Sequence, residues 1–349
     1  METITTLDLR QRWDALVEAN PKLRIRNAAT ELGVSELELL ATKTGETATR
    51  LDADWGEFLK ELPRLGYAMA LARNEWAVHE RKGVYKNLSF EHGGTIALFV
   101  SEDIDLRIFL NKWKHGFAVE EFSRGKLRKS FQFFDESGDA MHKVYLTDDS
   151  DEAAFEDIKE TYASGDQSAF QGVEPRRPER SRLPDSEIDV VAFQKEWLEL
   201  KDTHDFYPLL MKHRLARTQA LRLAPEGHWA KTVSNDALRK VFTIVADQEV
   251  PIMVFVQNPG IVQIHTGTIS NLQDYDGFYN VLDPAFNLHL KEDAIAESWV
   301  VRKPSVDGIV TSLELFDKEG MLIATIFGKR KPGIPELEAW REVIGRIQD

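Results

Sequence analysis

The chain has no cysteine. That excludes disulfides, a thiol nucleophile, Cys-ligated zinc and iron–sulfur clusters, and it leaves histidine as the main soft metal ligand. Basic residues are scarce beside acidic ones: 44 Lys and Arg against 58 Asp and Glu, a formal charge of −14. Such a balance argues against a general binder of nucleic acid or membrane surface, because both are polyanions, while a local basic pocket stays compatible with it. No apolar run approaches the ~20 residues of a membrane span, so no membrane insertion is expected. The opening METITTLDLRQRW has neither a basic n-region nor an apolar h-region. A reducing compartment, most simply the cytoplasm, is the expected location. G-x-G-x-x-G, P-loop, H-E-x-x-H and G-x-S-x-G motifs are also missing, so nucleotide, flavin and zinc machinery is not visible.

What is present is written twice. Trp13 answers to Trp197, Asn74 to Asn258 and Gly83 to Gly267, each at a shift of 184. FFDESG at 133–138 answers to LFDKEG at 315–320, at a shift of 182. So small a drift points to duplication of a whole domain, and 349 residues suit two domains. The expected organisation is a first repeat over 1–164, a polar Pro-rich linker over 165–185 and a second repeat over 186–349, related by a pseudo-twofold.

Within each repeat the periodicity changes from helix to strand. Leu9, Trp13, Leu16 and Val17 recur at helical spacing, and Ser35 with Glu38 makes a capping box before SELELLAT. DWGEFLKELPRL reads as a further helix, and from Gly66 to about Leu146 the chain alternates like strands. A hairpin is expected to turn at Glu136-Ser137-Gly138, and a helix over 151–162. The second copy repeats this order: helices from Val190 to about Leu223, strands from about Val241 to Phe327, and a closing helix in ELEAWREVIGRI. The fold class is therefore α+β, each half being helices followed by a large antiparallel sheet. NAATELGVSELELL has the outline of a helix-turn-helix with Gly33 at the turn. Its counterpart LLMKHRLARTQALRL lacks the glycine, and the acidic balance opposes DNA, so no nucleic-acid partner is expected.

Of the nine histidines, His204 stands out in DTHDFYPLLMKHRLARTQALRLA. It opens an amphipathic helix with apolar Phe206, Leu209, Leu210 and Leu215, and the first copy has no His near Leu23. Arg214, Arg217 and Arg222 follow, an anion-binding surplus in an acidic chain. RNEWAVHERKGVYKN, DLRIFLNKW, SFQFFDESGDAMHKVY, DTHDF, KTVSNDAL, IMVFVQNPGIVQIHTG and NLHLKEDAIAESWVVRKPSVDGIVTSLELFD lie along nearly the whole chain. By these strings, and by the duplication, the chain resembles the bacterial haemin-degrading factors, the HemS-like cytoplasmic haem-trafficking proteins.

The resemblance implies a haem (b-type, iron protoporphyrin IX). It implies that the DTHDF histidine, His204, is the proximal iron ligand. It also implies that the DLRIF arginine, Arg107, reaches the distal side of the iron from the other half. The RNEWAVHE histidine, His79, becomes a possible ligand for the first half. Arg217 of LARTQ and Lys303 of VVRKP match positions that meet the haem propionates or the pocket wall, and Arg330 of IFGKR is a further candidate of that kind. Where relatives often carry Tyr, this chain has Phe327, which removes a phenol able to bond a propionate or water.

These roles suit the chemistry. A haem site needs a neutral imidazole, an apolar slot for the disc and cationic donors at one edge. In IDLRIFL the aliphatic residues Ile104, Leu106, Ile108 and Leu110 alternate with Asp105, Arg107 and Phe109. The pattern by itself suggests that Arg107 makes a cross-strand salt bridge; the resemblance suggests a haem role. His92, His115 and His228 read as solvated, and His142 and His289 as polar-face strand residues. His213 is near enough to His204 to substitute. His265 aligns with Arg81, and His79 with Gln263, so ligand and structural readings of His79 both stand.

The function implied is a cytoplasmic protein that accepts haem from an importer and delivers it to a haem oxygenase for degradation and iron release. The enzymatic alternative is oxidative ring opening, for which electrons come from an external donor. The third alternative is an interaction module that binds no haem.

Overall fold

The computed structural model describes residues 6–123, 125–169, 172–176, 182–331 and 333–347. Of the expected linker over 165–185, residues 170–171 and 177–181 lie outside the described ones.

The chain forms two compact units. Unit 1 is Met1–Arg73, Glu80–Arg177 and Asn258–Gln263; unit 2 is Asn74–His79, Pro178–Gln257 and Ile264–Asp349. Each unit thus takes one six-residue segment from the other sequence half.

The first sequence half begins with helices α1 (Thr6–Ala19), α2 (Ile25–Leu32) and α3 (Glu36–Ala41). Strand β1 (Ala48–Leu51) and helix α4 (Trp55–Leu59) follow. Then come β2 (Gly66–Arg73), β3 (Ala77–Val84), β4 (Leu88–Glu91), β5 (Ile96–Val100) and β6 (Asp105–Phe109). β7 (His115–Ser123), β8 (Lys126–Phe134), β9 (Ala140–Ser150) and α5 (Glu152–Thr161) close it. The second half opens with α6 (Val190–Leu198), α7 (Phe206–His213), α8 (Arg217–Arg222), β10 (Ala230–Val233) and α9 (Ala237–Asp247). It continues with β11 (Ile252–Asn258), β12 (Ile261–Gly267), β13 (Leu272–Tyr275), β14 (Phe278–Leu282) and β15 (Phe286–Leu290). It ends with β16 (Glu297–Ser305), β17 (Gly308–Phe316), β18 (Leu322–Gly328) and α10 (Glu338–Gly345).

Within unit 1 the antiparallel order is β1-β7-β8-β9-β2, with a second run β4-β5-β6. Within unit 2 it is β10-β16-β17-β18-β11, with β13-β14-β15. Every strand has its counterpart at the same place in the order, which is how two copies of one sequence pattern fold. The expectation of helices followed by antiparallel strands holds in both.

Unit 2 is built on two layers of apolar side chains. One face of β16, β17 and β18 carries Val300, Leu313, Leu315 and Ile326 toward a core shared with Val241, Phe242 and Val245 of α9 and Trp340 of α10. The other face carries Trp299, Val301 and Phe316 against Trp197, Phe206, Leu210 and Leu221 of α6, α7 and α8. Unit 1 repeats the first layer with Phe58, Phe131, Phe133 and Phe155.

One element differs from its expected state. Residues 241–247, expected to open the strands, belong to helix α9. Ala237, Leu238, Val241, Phe242 and Val245 are its buried positions, a helical spacing that β-branched content disguised. The counterpart in the first copy is α4, already expected as helical.

Candidate functional site

His204 lies in a short 3-10 turn, Thr203–Asp205, immediately before α7. Asp202 shapes that turn. Its Oδ1 accepts from the His204 backbone N–H at 2.8 Å and sits 2.6 Å from His204 Nδ1. The second bond fixes the ring and leaves Nε2 for an external acceptor, the arrangement metal-binding imidazoles favour. The His204 side chain is 85% exposed. Burial acts to raise the Asp202 carboxyl, but bonds from His204 and the charges of His204 and Arg330 hold it below its ordinary value.

The wall next to this turn is β16, β17 and β18. Register pairs Lys303 with Val310, Ser312 with Val301 and Glu314 with Trp299. Ser312 and Glu314 face Phe327 and Thr325, and Met253 and Phe255 of β11 come next. Directly paired residues share a face. Half-buried Met253, Phe255 and Phe327 therefore continue the surface that holds Lys303, Ser312 and Glu314. The rings of Phe255 and Phe327 meet edge to face at 5.2 Å.

The cations sit along that surface. Glu314, fully buried, accepts from Arg217 Nε at 2.7 Å, Arg217 Nη2 at 2.8 Å, Lys303 Nζ at 2.7 Å and Ser312 Oγ at 3.1 Å. Lys303 is 4.6 Å and Arg217 5.4 Å from the centre of the Phe206 ring, close enough for cation–π attraction. Burial pushes the Lys303 ammonium down to about 8 despite Glu314. Burial opposes the charge of Arg217 as well, but Glu314 more than offsets it and the guanidinium is raised. Burial acts to raise Glu314 too; the two cations reverse the effect and hold it far below its usual range. Arg330 reaches the His204 turn, with Nη1 3.5 Å from Thr203 Oγ1, and its other side is 3.7 Å from Asp307. Unit 2 therefore collects His204, Arg217, Lys303, Arg330 and Phe327 around the β16–β18 face and the His204 turn.

The remaining candidates lie elsewhere. His79, fully buried, belongs to unit 2 and packs against Phe286 at 4.9 Å, where His265 also stacks at 3.8 Å. Arg107 belongs to unit 1. It projects from β6 on the side away from buried Leu106 and Ile108 and forms an ion pair with Asp105. Burial raises the Asp105 carboxyl against the pull of Arg107. His213 is 11% exposed, against Phe193, with Nε2 3.3 Å from Glu196. His142 is buried and bonds Tyr85, His228 stacks on Trp229, and His289 bonds Asn280 at 2.6 Å. His115 is half-buried; burial, then Arg50 and Lys114, push it down to about 4.

The acids of this cluster, Asp202, Asp307 and Glu314, were not singled out from sequence, nor were Thr203, Ser312, Met253 and Phe255. Glu314 carried a usable signal. In TSLELF it is a lone acid alternating with strand residues, and an acid buried in a sheet requires a cationic partner.

The family model described as "Haemin-degrading HemS.ChuX domain" matches the chain twice, at residues 33–162 and 214–347. "Hemin transport protein HmuS" of Yersinia pestis is 38% identical over 340 residues, covering 97% of each chain. The crystal structure of holo-PhuS, described as a heme-binding protein from Pseudomonas aeruginosa, superposes with a TM-score of 0.94 at 48% identity, covering 97% of this chain and 98% of that one. The Escherichia coli protein ChuS, described as a heme degrading enzyme, superposes with a TM-score of 0.90 at 35% identity, over 99% of this chain and 100% of its own.

Proposed function

The chain belongs to the HemS family, and from that premise we propose that it binds haem through unit 2 and hands it on. His204 is the iron ligand of this reading. Arg217, Lys303 and Arg330 meet the propionates, and Phe255, Met253 and Phe327 supply apolar surface for the macrocycle. The observation that carries it is His204 itself: an exposed imidazole whose Nδ1 is fixed by Asp202, in a unit that also brings in Lys303 of β16, Arg217 of α8 and Arg330 just after β18. The residues fit the cargo, an apolar disc that bears an iron and two carboxylates. A single protein ligand on an exposed turn suits delivery, because the bond can exchange when an acceptor offers its own ligand. The setting is cytoplasmic, the source an importer at the membrane, and the acceptor a haem oxygenase.

A haemin titration of the wild type and His204→Ala, followed by optical absorption, tests the site. A stoichiometric Soret complex in the wild type that weakens or changes ligation in the variant is expected. An identical spectrum and affinity in both would remove His204 from the site. His79 and His213 are then the ligands to examine, though their burial makes each a poorer acceptor of iron.

The second reading is ring opening by the chain itself, favoured by the likeness to ChuS. It requires electrons from an external donor. Incubation with a reductant in the presence of catalase separates the two: biliverdin-type product formed at an undiminished rate supports an enzyme, and intact haem supports a carrier. For Arg107 of unit 1 the role proposed in either reading is the one the resemblance implies, a hydrogen-bond donor toward haem.

A further inference from the structure

We propose that Glu314 is an internal stand-in for a ligand carboxylate. On this proposal it sets how tightly, and how reversibly, the unit 2 site holds a carboxylate-bearing macrocycle. The inference rests on the haem reading above and adds a determinant of affinity that is not itself a ligand contact.

Glu314 is placed as a bound carboxylate would be. Its Oε1 accepts from Arg217, Lys303 and Ser312 and its Oε2 from Arg217, the donor set that the proposed cargo's own carboxylates would seek. It is wholly buried behind those cations. Arg217 is 23% exposed and Lys303 only 3%, so an incoming carboxylate meets the outer edge of Arg217 first and finds Glu314 already behind it. Two cations facing one resident anion leave a single net positive charge, which lowers the attraction for an external anion.

The first copy shows that the fold does not require this charge. At a shift of 182 the counterpart of Glu314 is Gln132, and the counterpart of Ser312 is Ser130. Gln132 is buried to the same degree, at 3% exposed, and its amide simply donates to Ser130 Oγ at 3.0 Å. A neutral amide thus fills the same strand position in a sheet of the same order. The helix end over it has changed sign as well. Ser35 and Ala216 cap the corresponding helices α3 and α8, and the next residue is Glu36 in one and Arg217 in the other. In unit 1 the buried acid is on the helix, held by Lys143 at 2.5 Å and by Arg73. In unit 2 the cation is on the helix and the acid on the sheet. A packing role alone gives no reason to move the acid behind the cation that borders the His204 surface. An internal competitor does: it keeps Arg217 and Lys303 charged and oriented without cargo, and it holds the affinity low enough for release.

The test compares haemin with haemin dimethyl ester, whose propionates carry no charge. The readout is the ratio of the two affinities, which cancels changes in iron ligation and apolar contact. Measured at a pH low enough to keep the Lys303 ammonium protonated, Glu314→Gln, the amide already present in unit 1, is expected to widen the preference for the free acid on the order of tenfold, the effect of one unit charge at such a distance. It is also expected to slow transfer of haemin to apomyoglobin by a similar factor. Should two uncompensated cations keep that variant from folding, Glu314→Asp, whose shorter arm draws the carboxylate away from Arg217 and Lys303, takes its place and is expected to widen the ratio by a smaller factor. A ratio unchanged or narrowed in the variant that folds overturns the inference. Failure of the wild type to bind haemin at all overturns the haem reading instead.

Discussion

His142 is a residue whose chemistry the alternating pattern of β9 did not disclose. It is fully buried among Trp113, Tyr85 and Phe133, and burial pushes it down to about 3, below the ~6.5 of an unfolded histidine. The unfolded chain therefore takes up the proton first. Stability from this group is complete above about pH 6.5 and is lost as pH falls toward 3. Between pH 7 and pH 5 the loss is about 2 kcal/mol. Urea unfolding at the two pH values should show His142→Gln, which keeps an acceptor for the Tyr85 hydroxyl, with a dependence shallower by that amount; equal slopes would place the titration elsewhere. Arg107 poses a choice at the same scale. It does form a salt bridge, but with Asp105 of its own strand and not with a residue across the sheet, and a role toward haem is proposed for it as well. Arg107→Ala should shift the haemin spectrum and its pH dependence with little effect on stability. The reverse result, lower stability with an unaltered spectrum, would reduce Arg107 to its ion pair. Histidine and arginine types in their motifs were legible in sequence, but their burial and pairing depend on neighbours far along the chain.

Among elements, the two helix starts at α3 and α8 form an internal comparison. Ser35 Oγ accepts from the Glu38 N–H at 3.1 Å, and the Glu38 carboxylate accepts from the Ser35 N–H at 2.8 Å, the capping box read from the sequence. At the second copy Ala216 stands in the cap position, and only the return bond from its N–H to Gln219 Oε1, at 3.1 Å, remains. Ser35→Ala should lose about 1 kcal/mol and Ala216→Ser should gain between about 0.5 and 1 kcal/mol. Chemical denaturation reads both, and equal stability of Ala216→Ser with the wild type would mean that the orphan N–H is already satisfied. The close turn opposite each cap has a physical cause too. Gly138 has φ +82 and would place a Cβ 2.3 Å from Ser35 Oγ, and Gly320, φ +75, would place one 2.9 Å from Thr218 Oγ1. Both glycines belong to the repeated FFDESG and LFDKEG strings. Periodicity failed at α9, where Val, Ile and Thr gave a strand-like composition to a segment whose apolar positions are helical.

For the whole molecule, the asparagines that recur at a shift of 184 mark where each unit takes in its six-residue segment. In unit 1 Asn258 Nδ2 donates to Met141 O at 2.8 Å and Arg73 O at 3.0 Å. The same segment offers Gly260 O to Phe109 N at 3.0 Å and to Trp113 Nε1 at 3.1 Å. In unit 2 Asn74 Nδ2 donates to Ile323 O at 2.8 Å, and Trp76 Nε1 to Asp317 at 2.9 Å. Asn258→Ala strands two carbonyls and should cost about 2 kcal/mol. Calorimetry should show the loss; a variant as stable as the wild type would mean that water replaces the amide. Among the described residues no helix is long and apolar enough to cross a membrane.

The sequence by itself determined the duplication, the class of helices followed by antiparallel strands in each copy, the capping box, the hairpin glycines and the family. Each of these depends on local spacing or on long matching strings. It also marked His204, because a histidine that opens an amphipathic helix in only one of two copies is visible without coordinates. The tertiary structure alone decided which cations share one acid, that Asp202 orients the imidazole, and which six residues each unit takes from the other half. The shared acid and the exchanged segments come from strand register and from contacts between residues about a hundred or more positions apart, such as Arg217 with Glu314 and Asn258 with Met141, and the Asp202 bond, though two residues long, depends on the turn that the chain makes before α7. No periodicity along a chain encodes them.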